Sequence, residues 1–558
     1  VGCQKSTTVT NQATPTPPSE PAWFEDVTDS LGLNFIHDCG PITPAYFMPQ
    51  IAGSGCAFLD YDDDGRLDIY VIHNGGPKGA KNQLFHQEAD GTFRDVSAGS
   101  GLDVAGYGMG VAVGDVNNDG LPDVLLTEYG GTRLFLNQGG GKFIEITREA
   151  GLDNPLWATS AAFFDYDRDG WLDLIVVNYV DYDPSIPCTS RGGKADFCGP
   201  NSFKGSTPRL YRNLGRQLGK GTGVRFQDVS LKAGLISGPK AKGLGVLCAD
   251  FNGDGWPDIF IANDMIENHL WINQHDGTFE EKGLIRGVAF TGGGATAANM
   301  GIGWADIDGD GLPDLFVTHI VDETHTLWKQ GPSGYFRDET VASGLTAGWR
   351  STGFGAAFAD FDRDGWPDLV FVNGGVRRNS DANPADPFWL QFAQRNQVYA
   401  NASGKFRDIS NSNPAFCGKP FMGRGLAVGD FNNDGAPDLL ITEIGGRARL
   451  LRNVAKANGH YWLTVRAVLP TLDRDAYGAE ITVRAGGKAY WRLLNPGYSY
   501  CSSNDHRCHF GLGPNERYEG IDVLWPDGTS ESFKGGTADQ MVELAQGAGT
   551  RNRHLDKK

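Results

Sequence analysis

Methionine is scarce in this chain, with 6 residues in 558, and long apolar stretches are absent. No hydrophobic run approaches the roughly 18 residues that a membrane-crossing helix needs. The apolar runs are four to seven residues long and bounded by Gly, Asp and Asn, which excludes helical bundles with their longer periodic faces. Positive charge is also in short supply: 49 Lys and Arg face 68 Asp and Glu, and a formal net charge of −19 argues against nucleic acid and anionic membrane surfaces as partners. No nucleophile elbow, P-loop, dinucleotide fingerprint or zincin motif occurs. Ser160 in "ATSAAFFDYD" has nothing local to activate it, so no catalytic or organic-cofactor residue is assigned and enzymatic activity stays open. Glycine, by contrast, is plentiful at 78 residues, as suits a turn-rich all-β protein with mean hydropathy −0.33.

The acidic residues are not spread evenly. "DYDDDGRLD" at Asp60 places five acidic side chains in nine residues directly before the apolar "IYV". Its frame has Asp or Asn at positions 1 and 3, Asp at 5, Gly at 6 and Asp at 9, and it occurs seven times. The side chains are Asp60, Asp62, Asp64 and Asp68; Asp115, Asn117, Asp119 and Asp123; Asp165, Asp167, Asp169 and Asp173; and Asp250, Asn252, Asp254 and Asp258. Then come Asp306, Asp308, Asp310 and Asp314; Asp360, Asp362, Asp364 and Asp368; and Asp430, Asn432, Asp434 and Asp438. Oxygen-only ligands at alternating positions, with a glycine that turns the chain, suit a hard ion such as Ca2+, and the carbonyl of position 7 is a further expected ligand. An EF-hand would need Glu at position 12, where this chain has Val71, Leu126 or another apolar residue. The reading is therefore of about seven Ca2+ in short inter-strand loops. That many ions would bring the net charge to about −5, which makes most of the acidity structural.

Two further repeats run in step. "FEDV" at Phe24 has counterparts at Phe93, Phe143, Phe226, Phe279, Phe336 and Phe406, and strands such as "LFLN", "LYRN" and "LWIN" end in Asn or Gln. The loops are 55, 50, 85, 56, 54 and 70 residues apart, and about 50 residues accommodates four short strands that bury both faces only when stacked radially. The expected fold is all-β: a seven-bladed β-propeller with calcium-binding loops, followed by a small β-rich domain. Phe24 lacks a preceding "L-x-x-N" strand and the last such strand, ending at Asn453, lacks a following "F-x-D" strand, so the two are expected to pair.

On these motifs the sequence resembles secreted propellers built from FG-GAP or VCBS repeats of the integrin α-subunit type. It is closer still to the cartilage acidic protein family, whose bacterial members end in an ASPIC/UnbV domain. The marks of that domain are "RDAYGAEITVRAGG" from Arg474, "GYSYCSSNDHRCHFGLG" from Gly497 and "VLWPDGTSESF" from Val523. The resemblance implies a Ca2+-stabilised adhesion or binding module. The literal FG-GAP string is blurred into "GCAFLDYD" and "GVAVGDVN", so the integrin ligand-binding mode is not carried over. The expected domains are a Thr/Pro-rich tether over 1–21, the propeller over 22–455, the ASPIC/UnbV-like β-domain over 456–550 and a polar tail over 551–558. In the last domain, strands are expected at "HYWLTVRAV", "AEITVRA", "KAYWRLL", "GIDVLW" and "MVELA", packed on the adjoining propeller face.

The opening "VGC" resembles the end of a bacterial lipobox, which makes Cys3 a candidate lipid anchor and the expected location extracytoplasmic: periplasm, outer membrane or cell surface. Local disulfides are expected between Cys188 and Cys198 and between Cys501 and Cys508. Cys56 and Cys248 read as small buried hydrophobes, and a bridge between Cys39 and Cys417 is left open. Two inserts, 182–206 and 374–396, exceed the repeat period; Trp389 in the second is the expected contact for a surface protein or glycan. The clusters "THIVDETH" (His319, His325) and "NDHRCH" (His506, His509) are the places where a transition metal or an acid/base pair would support the alternative, an extracytoplasmic hydrolase or metal-dependent oxidoreductase.

Overall fold

The computed structural model describes residues 21–552 apart from 191–192, 216–222, 347–348, 380–381 and 384. Cys3 and the tether lie outside the described residues. Each acidic loop joins the first two strands of an antiparallel sheet, as Cys56–Leu59 and Asp68–Val71 do around the first loop. The "L-x-x-N" run supplies the third strand and the "F-x-D" run the fourth, for example Gln83–Gln87 and Phe93–Asp95. Among the described residues seven sheets are built this way, and we number them by their loops. In the seventh, Gly423–Gly429, Asp438–Glu443 and Arg449–Asn453 are completed by Phe24–Asp26, with Phe24 opposite Asn453. The N-terminal strand thus pairs with the last "L-x-x-N" strand, as the order of motifs implies.

Position 9 of each loop explains why the repeats keep their spacing. Its carboxylate is fully buried in all seven sheets and accepts two backbone N–H bonds. One comes from position 2 of its own loop at 2.9–3.4 Å, the other from the terminal Asn or Gln of the third strand at 2.7–2.9 Å. The side-chain amide of that Asn or Gln then donates to the position-2 carbonyl of the preceding sheet at 2.8–3.0 Å: Asn137 to Tyr61, Asn213 to Val116, Asn273 to Tyr166, Gln330 to Phe251, Asn401 to Ile307 and Asn453 to Phe361. Gln87 returns the chain of bonds from the first sheet to Phe431 in the seventh. The first strands follow the same order, each packing on the next, with Gly423–Gly429 against Cys56–Leu59.

The C-terminal region forms two further sheets. One joins Arg474–Asp475, Tyr461–Leu469 and Cys508–Gly513, with Gln540–Ala545 parallel to the central strand; the other runs Lys488–Leu493, Glu480–Ala485, Arg517–Leu524, Ser530–Thr537 and Thr550–Arg551. Leu463, Val465, Ile481, Phe510, Val523 and Trp525 form its core. The five expected strands are present, and Arg474–Asp475, Cys508–Gly513, Ser530–Thr537 and Thr550–Arg551 are additional.

Between these sheets, residues 495–505 leave the C-terminal region and run against the first strands of all seven repeat sheets. Ser502 and Ser503 pair with Cys56 and Ala57, Val111 donates to the Cys501 carbonyl, and the Cys501 amide donates to Ser160 Oγ. Asn495 reaches the Cys248 carbonyl, Ser499 bridges to Ile302 and accepts from Ala356, and Leu426 donates to Ser502. This placement corrects the expected Cys501–Cys508 disulfide. Cys501 is buried in the inserted segment, while Cys508 sits in a strand opposite Val465, and both are free. Cys39 and Cys417 are likewise free and buried, whereas Cys188 and Cys198 are bonded. Cys56 and Cys248 are buried strand residues as expected.

Candidate metal centres

The seven loops share one conformation. The glycine at position 6 has φ between +79° and +98°, a region that only glycine enters without cost, so the chain reverses there. In every loop the first Asp accepts the N–H of that glycine at 2.6–3.0 Å, and the position-5 Asp accepts the N–H of position 7 at 2.8–3.1 Å. These bonds fold the carboxylates toward one another. In the first, third, fifth and sixth loops ligand atoms come within 4.8 Å of each other, in the sets Asp60, Asp62 and Asp64; Asp165, Asp167 and Asp173; Asp306, Asp308 and Asp314; and Asp360, Asp362 and Asp368. The second, fourth and seventh loops have Asn at position 3, and its amide donates to the position-5 carboxylate at 2.8–2.9 Å.

The electrostatics are those of a site that favours a cation. Burial pushes the carboxyls of Asp68 and Asp314 up to about 8 and that of Asp165 up to about 7, and neighbouring carboxylates add to the rise. Asp123, Asp173, Asp258, Asp368 and Asp438 are also raised well above the usual carboxylate range by burial. In the four clustered loops, one position-1 or position-3 oxygen is buried with no hydrogen-bond donor: Asp62 Oδ1, Asp167 Oδ1, Asp308 Oδ1 and Asp360 Oδ1. A buried carboxylate oxygen without a donor is costly, and a cation satisfies it. The donor set, all oxygen in these four groups, fits a hard divalent ion.

In three loops a basic side chain from the third strand reaches the carboxylates, which the sequence reading missed. His86, Arg212 and Lys329 occupy the residue before the terminal Asn or Gln of the third strand. His86 Nδ1 lies 3.1 Å from Asp68 and 3.8 Å from Asp62, Arg212 bonds Asp167 and Asp169 at 2.6 and 3.0 Å, and Lys329 bonds Asp308 and Asp310. His86 thereby joins Asp62 and Asp68 in a mixed imidazole–carboxylate group. The equivalent residues Leu136, Ile272 and Ala400 carry no charge, and Arg452 turns to Glu25.

The C-terminal region covers this same side. Trp462 packs on Gly435, Leu472 on Gly170 and Tyr490 on Gly365. Arg474 and Arg507 donate to the loop carbonyls of Gly170 and Asp430. The fields of three arginines span neighbouring loops: Arg474 acts on Asp165 and Asp115, Arg492 on Asp360 and Asp306, and Arg507 on Asp430 and Asp60. The positions of these residues in the sequence carry no repeat period, so only the structure brings them to the loops.

The histidine clusters do not form a site of the expected kind. His319 is buried; its Nε2 pairs with Thr326 Oγ1 at 2.9 Å, its backbone N–H goes to His325 Nδ1, and burial lowers both imidazoles to about 3. Glu323 lies 3.9 Å from His319 Nδ1, whereas Asp322 points to Arg377. His509 Nε2 contacts the Gly435 carbonyl, and His506 lies 3.8 Å from both Asp475 and Asp505. Trp389 is only partly exposed: it stacks on Phe197 at 5.9 Å and donates from Nε1 to Cys39 Sγ. The two inserts therefore pack on each other, joined also by Arg378 and Asp196 at 2.8 Å.

Comparison with known proteins agrees with this architecture. A family described as FG-GAP-like repeat matches residues 60–126, 115–176, 250–317 and 306–371, and ASPIC and UnbV matches residues 470–551. The chain is 26% identical to cartilage acidic protein 1 of Homo sapiens over 335 residues, covering 58% of this chain and 46% of that protein. It is also 26% identical to cartilage acidic protein 1 of Mus musculus over 359 residues, covering 55% and 54%. The chain thus spans about half the length of the curated relatives it matches, and it is related to them as a multidomain protein. A solved complex of BBS1N with ARL6DN, soaked with lead, aligns at 10% identity and a TM-score of 0.42, covering 79% of this chain and all of that one, a likeness too slight to bear on function. No helix among the described residues is long and apolar enough to cross a membrane.

Proposed function

We propose that the chain is a calcium-stabilised binding protein of the cartilage acidic protein family that works outside the cytoplasm. In this reading residues 22–455 form a seven-bladed propeller, residues 456–550 form an ASPIC/UnbV-like β-domain that caps its acidic side, and each blade loop holds one Ca2+ through positions 1, 3, 5 and 9. The observation that carries it is the set of donorless buried oxygens on Asp62, Asp167, Asp308 and Asp360, each inside a group of converging carboxylates. When bound, calcium supplies charge neutralisation and holds the loop; the protein's own contribution is the turn that points the carboxylates inward. The ring of Asn and Gln amides supports the propeller, and the Cys188–Cys198 disulfide supports an oxidising compartment. Removing the metal from the whole protein tests the reading: chelation should lower the melting temperature, and calcium but not magnesium should restore it, because Mg2+ demands a tighter octahedral shell. An unchanged melting curve on chelation would overturn it.

A further inference from the structure

On the side opposite the acidic loops, the ends of the repeat strands and the two inserts enclose a cavity of about 190 Å³. Its floor is Tyr500, carried there by the inserted segment 495–505, with its hydroxyl bonded to the Ala52 carbonyl and its ring 5.0 Å from Phe354. Met48, Met265 and Met300 line the wall, and Met265 is held at φ +61°, a conformation seldom adopted by a side chain of its size. One carboxylate, Asp264, opens into this apolar space while only 7% exposed.

No cation touches Asp264 among the described residues, although the fields of Lys242 and Arg377 reach it. Its side-chain partner is the Tyr179 hydroxyl, and it forms no ion pair among the described residues. Lys242, bonded to the Pro200 carbonyl and Asn201 Oδ1, and Arg377, which also lines the cavity and pairs with Asp322, act on Asp264 only through their fields, without contact. Glu323, which accepts the Ala298 amide, adds a second negative charge nearby. A buried carboxylate with no cation in contact is unfavourable unless a partner completes it, and aromatic rings and thioethers form a favourable lining for an organic cation. Burial raises Asp264 to about 6, so it is ionised at pH 7.5.

We infer that this cavity binds a small organic amine, an apolar alkyl or aryl body carrying one ammonium group, with the ammonium on Asp264 and the body among Met48, Met300, Phe354 and Tyr500. The site deepens the reading of the chain as a binding protein by naming a ligand class, and it stands apart from the calcium loops.

The test uses the full chain with calcium present and three probes of one shape: 2-phenylethylamine, 2-phenylethanol and phenylacetate, titrated by calorimetry at pH 7.5. The amine should bind saturably and the alcohol and carboxylate at least about tenfold more weakly, a gap of about 1.4 kcal/mol. Asp264→Asn, which keeps an acceptor for Tyr179, should remove that preference, and Leu244→Phe, which fills the cavity, should abolish binding of all three. Melting curves with calcium confirm that each variant is folded. No saturable amine binding at millimolar concentration, or equal binding by wild type and Asp264→Asn, would overturn the inference. Either result would leave the chelation experiment unaffected, so the two readings fail separately.

Discussion

The Asn or Gln at the end of each third strand ties neighbouring sheets together. Asn137 shows the role: its backbone N–H binds Asp123 and its amide binds Tyr61 of the preceding sheet, both buried. Replacing it with Ala leaves the Tyr61 carbonyl without that donor, and we expect a loss of about 1–3 kcal/mol in urea unfolding. Gln138→Ala, at an exposed position next to it, should change stability by less than about 0.5 kcal/mol. Equal effects for the two would contradict the ring of amides. The sequence made this residue visible as a recurrent Asn or Gln but not its purpose, since the bonded carbonyl lies about 76 residues away, in the preceding repeat. The acidic positions were legible for the opposite reason: their geometry is local, fixed by the Asx turns and the left-handed glycine. The three basic side chains escaped notice because His86, Arg212 and Lys329 share a position but not a residue type. That position can be tested in the sixth loop, where Ala400→Lys should imitate Lys329 and weaken calcium binding there, read as a lower melting temperature at limiting calcium.

At the scale of elements, the strands announce themselves through short apolar runs between turn residues, and the pairing of Phe24–Asp26 with Arg449–Asn453 follows from counting motifs. Removing residues 1–19 should therefore leave the melting temperature unchanged, while removing residues 1–30 should lower it sharply by exposing the edge at Arg449–Asn453. Identical melting curves would place the closure elsewhere. The inserted segment 495–505 was not legible. "NPGYSYCSSND" shows a turn signal in Asn-Pro-Gly but no alternation, and its partners lie on seven different strands, which no local pattern encodes. The expected Cys501–Cys508 disulfide failed for this reason, because proximity in sequence gave no hint that the two cysteines serve different elements. Alkylation of the unfolded, unreduced chain followed by peptide mass mapping should find Cys501 and Cys508 both modified and Cys188 linked to Cys198.

At the scale of the whole molecule, two sets of buried titratable groups pull stability in opposite directions with pH. Burial lowers His37, His319, His325 and His509 to about 3 and His73 and His269 to about 4, against the ordinary histidine value of about 6.5. Their folded values lie below the unfolded one, so the stability they contribute is full above 6.5 and is lost as pH falls toward 4 and 3. The loop carboxylates are raised, with Asp68 and Asp314 near 8; without metal their contribution is full below about 4 and is lost as pH rises through 8. Calcium would hold those carboxylates ionised and remove the second effect. Urea midpoints of the calcium-loaded protein should therefore fall between pH 7.5 and 5, while those of the chelated protein should fall less or rise. Parallel curves would show that the loops are not metal sites. The arginines Arg474, Arg492 and Arg507 belong to this scale as well, since their charges act on carboxylates of six of the seven acidic loops.

The most direct test is an anomalous difference map from calcium-grown crystals, collected at a wavelength where calcium scatters and sulfur can be told apart from it. The account predicts peaks inside the acidic loops, strongest where Asp165, Asp306 and Asp360 head groups of converging carboxylates, each within coordinating distance of the oxygens at positions 1, 3, 5 and 9. A map with no peak in those three loops, from crystals grown in saturating calcium, would contradict it.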